Sequence, residues 1–221
     1  MKIIAHRGAS SEFPENTLRA FRRAVEIGVD EIETDLVETR DGIIVLHHDE
    51  TLLCGAKTIP IRSLAWAEVQ KIKKEIPSLD EVLEELGGQV PFCLELKTAG
   101  LAERTAALIQ KYGLDSETHF TSFQTAEIVE IKKLCPGAAF SWTFSKLPEG
   151  IEEVLKREGM EAVSLSLESV SQGIVERLCR QGIKTRVYTV NDPVFAERCA
   201  AWGVDAIFTD DPARMQGFRK S

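Results

Sequence analysis

The stretch "EIGVDEIETD", residues 26–35, contains the unit from which most of the chain is built: the end of an amphipathic helix, a glycine and a short strand. The same order returns as "REGMEAVSLS" at 157–166, "RQGIKTRVYT" at 180–189 and "AWGVDAIFTD" at 201–210. A glycine at this point suits a left-handed helix C-cap. Because each strand follows its helix after a short loop, the repeated unit predicts parallel strands joined by crossover helices.

Short runs typical of strands, separated by helical patterns, occur eight times along the chain. Their positions are 2–5, 31–35, 92–96, 118–121, 138–142, 162–166, 184–189 and 206–209. Eight strand–helix units predict an α/β fold, a closed (β/α)8 TIM barrel. An open doubly wound sheet is the alternative for the same pattern. The 221 residues, 43% of them hydrophobic, suit a single barrel domain over 1–221.

One interval departs from this spacing, since about 60 residues separate the starts of the second and third strands. We therefore expect a short insertion between strands 2 and 3, over about 36–90. Within it, Asp41-Gly42 predicts a turn between two short strands, and 63–86 is typical of helix with a break at Ile76-Pro77. Ser78 and Glu81 have the spacing of a helix capping box.

The composition bears on the partners of the protein. A net charge of −8 and a pI of about 5.2 argue against nucleic acid or an anionic membrane surface as the main partner, because both are bound by basic patches. No apolar run approaches the ~18–20 residues that span a bilayer, and the apolar start of the chain is too short for a signal peptide. We therefore expect a cytoplasmic protein without stable membrane association.

Three acidic side chains share one face of the second predicted strand. Side chains of a strand alternate between its two sides, so Glu31, Glu33 and Asp35 point the same way. Glu95 lies on the neighbouring third strand, and the C-terminal ends of barrel strands form the active face. Glu33, Asp35 and Glu95 would form an oxygen cage for a hard divalent cation. The alternative is an ordinary network of ion pairs with nearby basic side chains.

Histidines stand at two of the same strand ends. Histidine exchanges a proton near neutral pH, so His6 after the first strand and His48 after the extension of the second are candidates for acid–base chemistry. His47 and His48 point to opposite faces if the segment is extended, and periodicity does not decide which one faces the mouth. His119 lies in the middle of a strand without an acidic neighbour, which favours a structural role.

Seven segments, in this order, resemble the glycerophosphodiester phosphodiesterases of the bacterial, cytoplasmic type. They are "AHRGASSEFPENTLRAF", "GVDEIETDLVETRDGIIVLHHDETL", "IPSLDEVLE", "FCLELK", "TSF", "VYTVND" and "GVDAIFTDDP". The resemblance runs from His6 to Pro212 and implies a TIM barrel, in agreement with the strand count. One departure is the stretch from Leu53 to Thr58, where the family often has Arg-Thr-Thr and a glycine-rich turn; this bears on loop contacts and substrate preference.

The resemblance also implies roles for individual residues. It implies a divalent cation, Ca²⁺ or Mg²⁺, held by Glu33, Asp35 and Glu95. It implies an acid–base pair, His6 and His48, and favours His48 over His47 because His48 directly precedes Asp49.

Substrate-binding residues are implied in the same way. Arg7 and Lys97 stand where the family has cations that contact phosphate. Asn16 either orients a metal-site group or caps the first helix. Three aromatic residues are candidates for the wall of a glycerol pocket or for simple core packing: Phe123, Trp142 and Tyr188.

The function implied by the resemblance is metal-dependent hydrolysis of small-molecule glycerophosphodiesters to sn-glycerol 3-phosphate and an alcohol, with histidine acid–base catalysis. Three alternatives are a phospholipase-type phosphodiesterase acting on a related lipid head group, a noncatalytic barrel that binds phosphodiesters, and a Schiff-base aldolase in which Lys97 is the nucleophile.

Overall fold

Eight strands run parallel around a closed barrel in the computed structural model of the protein, which describes residues 1–219. All strands of the described residues, in chain order, are β1 Lys2–His6, β2 Glu31–Glu38, β3 Ile44–Leu46, β4 Thr51–Cys54, β5 Lys57–Pro60, β6 Phe92–Leu96, β7 Thr118–Ser122, β8 Ala139–Phe144, β9 Ala162–Ser166, β10 Lys184–Tyr188 and β11 Ala206–Thr209. The strands β3, β4 and β5 belong to the insertion, and the other eight form the barrel. The barrel order is β1-β11-β10-β9-β8-β7-β6-β2, and β1 pairs with β2 to close the ring. This closure confirms the TIM barrel and rules out the open sheet.

Helices cover the outside of the barrel. They are α1 Leu18–Ile27, α2 Trp66–Ile72, α3 Leu79–Leu86, α4 Ala102–Tyr112, α5 Thr125–Leu134, α6 Ile151–Arg157, α7 Gln172–Arg180, α8 Pro193–Trp202 and α9 Pro212–Met215. Gly28 and Gly203 end α1 and α8 in the left-handed conformation, with φ of 77° and 85°. The prediction of glycine C-caps is therefore confirmed at these helices, since a residue with a Cβ would be strained there.

The two faces of the strands differ in polarity. Outward side chains such as Leu36, Leu94 and Phe120 are fully buried in one hydrophobic core under the helices. The interior holds many polar side chains, and Glu31, the first of the three acids on β2, is one of them. Its carboxylate forms an ion pair with the buried guanidinium of Arg186, and Lys2 Nζ lies 3.1 Å from Glu31 Oε1. Glu31 therefore belongs to an interior ion-pair network.

The insertion between β2 and β6 has the predicted turn and helices. β2 runs on beyond the barrel to Glu38 and pairs antiparallel with β3, and Gly42 N–H donates to Thr39 O at 3.0 Å in the turn. Two helices, α2 and α3, flank the predicted break. The reciprocal capping box at the start of α3 is present, with Ser78 N–H donating to Glu81 Oε2 at 2.7 Å. The antiparallel hairpin of β4 and β5 lies between β3 and α2 and was not predicted.

Within the described part of the chain, none of the helices combines the length and the apolar character needed to cross a bilayer.

Candidate active site

Two cavities lie at opposite ends of the barrel. The smaller, of about 290 Å³, lies at the C-terminal ends of the strands and is lined by both candidate histidines and by Glu33 and Glu95. The larger, of about 390 Å³, lies at the N-terminal ends, where Glu31 and Arg186 already neutralise each other. Among residues 1–219, the one group of acidic or histidine side chains close enough to share a metal ion borders the smaller cavity. We therefore place the candidate site there.

Three carboxylates from two paired strands form this group. Oxygens of Glu33, Asp35 and Glu95 all lie within 4.8 Å of one another. The parallel register of β2 and β6 sets Asp35 directly opposite Glu95. Glu33 and Asp35 are only 2% and 1% exposed. Arg7 turns its backbone N–H toward the cluster and donates to Glu33 Oε2 at 3.0 Å.

Burial of so much negative charge shifts the protonation of the cluster. Burial and the neighbouring Asp35 raise the pKa of Glu33 to about 8. Burial also raises the pKa of Glu95. For Asp35 burial acts in the same direction, but Lys97 and Arg7 outweigh it and lower the pKa. A divalent cation would favour the ionised carboxylates, and three carboxylate oxygens are the donors that Ca²⁺ and Mg²⁺ prefer, so the residues fit such an ion.

Two basic side chains contact the same carboxylates. Lys97 Nζ lies 3.0 Å from Asp35 Oδ1 and 3.0 Å from Glu95 Oε1. Arg7 Nε lies 3.2 Å from Asp35 Oδ2, and Arg7 Nη1 lies 2.9 Å from Glu15 Oε2. The ion pairs proposed as the alternative to a metal cage are therefore present, and they are built into the same cluster of oxygens.

Asn16 orients one of these carboxylates. Its Nδ2 donates to Asp35 Oδ2 at 2.9 Å, and its Oδ1 accepts from Thr34 Oγ1 at 2.6 Å. Asn16 is 2% exposed and has a positive φ of 55°, a conformation that asparagine tolerates better than most residues. The alternative role as helix cap is wrong, because Thr17 caps α1 by accepting from Ala20 N–H at 3.3 Å.

His6 is held by a carboxylate from the last strand of the barrel. His6 Nδ1 lies 2.6 Å from Asp210 Oδ1, just after β11. Asp210 is fixed in turn by Asn191 Nδ2, which donates to its Oδ2 at 2.6 Å, and by Ser10 Oγ, which donates to its Oδ1 at 3.2 Å. Burial on its own would lower the pKa of His6, but the hydrogen bond to Asp210 and the charge of Glu33 raise it.

The structure separates the two adjacent histidines. His48 lines the cavity, and its Nδ1 lies 2.8 Å from Asp49 Oδ1. His47 borders a different pocket, where its Nε2 lies 3.4 Å from Lys73 Nζ and its Nδ1 lies 2.8 Å from Asp49 O. Burial lowers the pKa of His47. Of the pair, His48 is therefore the one that shares a cavity with His6 and the carboxylates.

Aromatic rings form one wall of the cavity. Phe123 and Tyr188 meet edge to face with ring centroids 6.1 Å apart, and Tyr188 meets Phe208 in the same way at 6.4 Å. All three line the cavity. Trp142 does not: it points to the outer face of β8, is 4% exposed and packs against Phe144 in the core under the helices. The expectation that Trp142 walls the pocket is therefore not supported, and we leave it out of the site.

Comparison with known proteins identifies the family. The sequence profile of the glycerophosphoryl diester phosphodiesterase family matches residues 6–214. The chain belongs to this family. Its enzyme class is accordingly that of a phosphoric diester hydrolase, a glycerophosphodiester phosphodiesterase.

Relatives match the chain over nearly its whole length. The glycerophosphodiester phosphodiesterase of Caldanaerobacter subterraneus subsp. tengcongensis is 31% identical over 235 residues, covering 96% of this chain and 95% of that protein. A phosphodiesterase of Oleispira antarctica, solved in complex with its product sn-glycerol 3-phosphate, has a TM-score of 0.87 and 28% identity over 99% of this chain and 96% of its own. A glycerophosphodiester phosphodiesterase from Agrobacterium tumefaciens has a TM-score of 0.81 and 28% identity over 96% and 98% of the two chains.

Some residues of the candidate site were not among the sequence-based candidates. Asp210 and Asn191, which hold His6, come from the motifs "TDDP" and "VND". Both residues follow predicted strands directly, and this position could have identified them as candidate site residues. The hydroxyls of Thr121, Thr143 and Ser164 also line the cavity. Hydroxyl residues within strands carry no such signal, because threonine is enriched in strands generally.

Proposed function

We propose that the protein hydrolyses glycerophosphodiesters to sn-glycerol 3-phosphate and an alcohol, with a divalent cation in the cluster of Glu33, Asp35 and Glu95 and with His6 and His48 as the proton-transferring residues. The observation that carries the proposal is that both histidines line the cavity bordered by the carboxylates. The product bound to the Oleispira antarctica relative is the one expected from this reaction.

The phosphate would lie between the carboxylate cluster and the two histidines. A divalent cation, when bound, supplies Lewis acidity and a fixed position for phosphate oxygens. Arg7 and Lys97 line the same cavity and carry positive charge, so they would offset the charge that develops on the phosphoryl oxygens. Both are already oriented by Asp35.

The histidines would divide the proton transfers between them. Each has a carboxylate on Nδ1, Asp210 for His6 and Asp49 for His48, which leaves Nε2 as the ring nitrogen available to the substrate. Because the hydrogen bond to Asp210 raises the pKa of His6, we assign His6 as the acid that protonates the leaving alcohol. His48 then removes the proton from the attacking hydroxyl group, of either water or the glycerol.

The aldolase alternative is disfavoured by the surroundings of Lys97. Asp35 and Glu95 raise the pKa of its amine in spite of its burial, and a protonated amine is a poor nucleophile. Cytoplasmic location and the absence of nucleic-acid and membrane partners stay predictions from the sequence, as does the identity of the ion.

The test is hydrolysis by protein freed of metal with EDTA and then supplied with Ca²⁺, Mg²⁺ or Mn²⁺. Glycerophosphocholine, glycerophosphoethanolamine and glycerophosphoglycerol are the substrates, and sn-glycerol 3-phosphate is the product to be measured. We expect release of this product only after addition of a cation. Full turnover by metal-free protein would contradict the cation's role, and binding without any product would favour the noncatalytic alternative.

A further inference from the structure

A buried ion pair divides the interior of the barrel into two compartments. Arg186 and Glu31 are 3% and 5% exposed, and their side chains pair across the interior from β10 to β2. Arg186 borders the N-terminal cavity, whereas its neighbour Phe208 lines the catalytic cavity. The guanidinium of Arg186 therefore lies at the boundary between the two cavities.

Such a pair is an unusual filling for a barrel. The interior of a TIM barrel is normally packed with bulky branched side chains. Hydrophobic residues of similar volume are often as stabilising as a buried ion pair, because the removal of two charges from water carries a large desolvation cost. Burial alone would lower the pKa of Arg186, but Glu31 outweighs it and raises the pKa, so the guanidinium keeps its charge. Stability alone therefore does not account for the pair.

Arg186 lies against an aromatic ring of the catalytic cavity. Its Cζ is 4.9 Å from the centre of the Phe208 ring, within the range of a cation–π interaction. This interaction is strongest where water is excluded, and Phe208 is only 4% exposed. Phe208 in turn meets Tyr188 edge to face, and Tyr188 meets Phe123. The contact with Arg186 is thus the base of the aromatic wall formed by Phe123, Tyr188 and Phe208.

The N-terminal cavity leaves space beneath the Phe208 ring. The register of β10 and β11 sets Arg186 opposite Ala206, two residues before Phe208. Ala206 faces the same interior as Phe208 and offers only a methyl group toward the N-terminal cavity. That cavity has a volume of about 390 Å³. Ile4 and Cys93 pack in the same cluster as Phe208, and Arg186 is the long side chain that separates the ring from the space below.

We propose that Arg186, held in place by Glu31, is a positioning residue for the reaction, because its guanidinium fixes the aromatic wall of the catalytic cavity through Phe208. The inference rests on the proposed function and adds two interior residues that act through the wall. Loss of this support should loosen the wall and weaken substrate binding, while the two histidines and the carboxylate cluster keep their positions.

The first test is steady-state kinetics of glycerophosphocholine hydrolysis, with whichever of Ca²⁺, Mg²⁺ or Mn²⁺ supports turnover. E31Q/R186M removes both charges together, which avoids leaving one buried charge without a partner. We expect KM to rise about threefold to tenfold, as for loss of a cation–π contact away from water, and kcat to stay within about twofold of wild type. F208L should have the same effect. Because both changes act through one ring, E31Q/R186M/F208L should have a KM no higher than that of F208L alone.

Lys2→Met is the matched control. Lys2 contacts the same carboxylate as Arg186, with Lys2 Nζ 3.1 Å from Glu31 Oε1, but the Lys2 side chain is 61% exposed. This variant should leave both kinetic constants unchanged. R186K serves if the double variant melts abnormally. Lysine can still neutralise Glu31 but lacks the planar group that stacks on a ring, so KM should again rise with kcat unchanged.

A second measurement follows the ring without any substrate. Protein labelled with para-fluorophenylalanine can be studied by fluorine NMR, and F208L identifies the resonance of Phe208. In E31Q/R186M this resonance should shift and broaden, because the ring loses the group that holds it in one orientation. Lys2→Met should leave the resonance unchanged.

Three results would overturn the inference: an unchanged KM or an unchanged Phe208 resonance in E31Q/R186M, additive effects of E31Q/R186M and F208L on KM, or a fall in kcat at constant KM. The last result would place the action of Arg186 on the reacting groups instead of the wall. Failure of the proposed function shows up separately, as absence of glycerophosphocholine turnover by wild-type protein, and does not affect the fluorine measurement.

Discussion

Asp210 is the carboxylate that sets the proton affinity of His6. Asp210→Asn keeps an oxygen that can accept from Nδ1 but removes the charge, so the pKa of His6 should fall from its raised value. If protonated His6 is the acid, the alkaline limb of the pH–rate profile then moves to lower pH. The measurement is kcat against pH for glycerophosphocholine. Asp211→Asn is the control, because Asp211 accepts from Arg214 N–H in a helix cap; an unchanged limb in Asp210→Asn would count against the assignment.

His47 and His48 are adjacent in sequence but border different pockets, so His47 variants serve as controls for variants of the two candidate catalytic histidines. We expect His6→Gln and His48→Gln to reduce turnover by about 10²-fold or more, the usual size of general acid–base contributions. His47→Gln should stay near wild type, because His47 borders a separate pocket. Initial rates of sn-glycerol 3-phosphate release, with thermal melting as the check of folding, provide the measurement. Near-native turnover in His48→Gln would show that this residue does not transfer the proton.

At the scale of single residues, polar side chains at strand ends were predictable and the inward or outward direction of aromatic side chains was not. The parity of Glu33 and Asp35 followed from the alternation of a strand with one acidic face. β8 has hydroxyl and aromatic residues in alternation but runs to Phe144, two residues beyond the predicted end. Trp142, the last residue of the predicted strand, therefore lies inside β8, where it alternates with the inward Ser141 and Thr143 and points outward.

Helix α3 carries part of the insertion and depends on its first turn. Ser78 Oγ accepts from Glu81 N–H at 3.2 Å, and Glu81 accepts from Ser78 N–H at 2.7 Å. Loss of an N-cap hydroxyl typically costs ~1 kcal/mol, so Ser78→Ala should lower the free energy of unfolding by about that amount and leave turnover unchanged. Urea denaturation provides the measurement. Glu81→Gln preserves the acceptor and should cost less; an equal loss in both variants would mean that the charge of Glu81 matters more than the cap.

The helices and strands were predictable from sequence wherever the helix–glycine–strand unit recurred. Inside the insertion, the positions of the strands were harder to predict. The end of β2 at Glu38 is set by its pairing with β3, a contact that the barrel pattern does not contain. The hairpin of β4 and β5 was missed because Leu52 is its single buried residue: Leu52 is 2% exposed, whereas its neighbour Leu53 is 73% exposed. Short exposed strands are specified by their partner strand and turn more than by periodicity.

The molecule as a whole surrounds the carboxylates with low-dielectric structure, and this makes cation binding depend on pH. Since the pKa of Glu33 is raised to about 8, this carboxyl is mostly protonated at pH 7 and must lose its proton when a cation binds. We expect release of up to about one proton per ion at pH 7, decreasing above pH 8. Calorimetry of Mg²⁺ or Ca²⁺ binding in two buffers of different ionisation enthalpy provides the measurement.

Glu33→Gln is the control for this proton release, since the amide has no proton to lose in this range. Equal proton release by wild-type protein and Glu33→Gln would assign the proton to another group. The same raised pKa has a consequence for stability without metal: the contribution of neutral Glu33 is fully present below pH 4.5 and is lost as pH rises through about 8. An added cation should reverse this loss and raise the melting temperature.

The insertion leaves the barrel from β2 and returns to it at β6, and these two strands are hydrogen-bonded neighbours. An insertion whose two ends lie on adjacent strands can change in length and sequence without opening the barrel. The segment can therefore be exchanged as a unit between relatives. The insertion also carries His48, which lines the cavity, so each exchanged segment must place a histidine ring at the same position. In chimaeras joined at β2 and β6, any change in preference for the leaving alcohol will therefore depend on whether the histidine ring keeps its position.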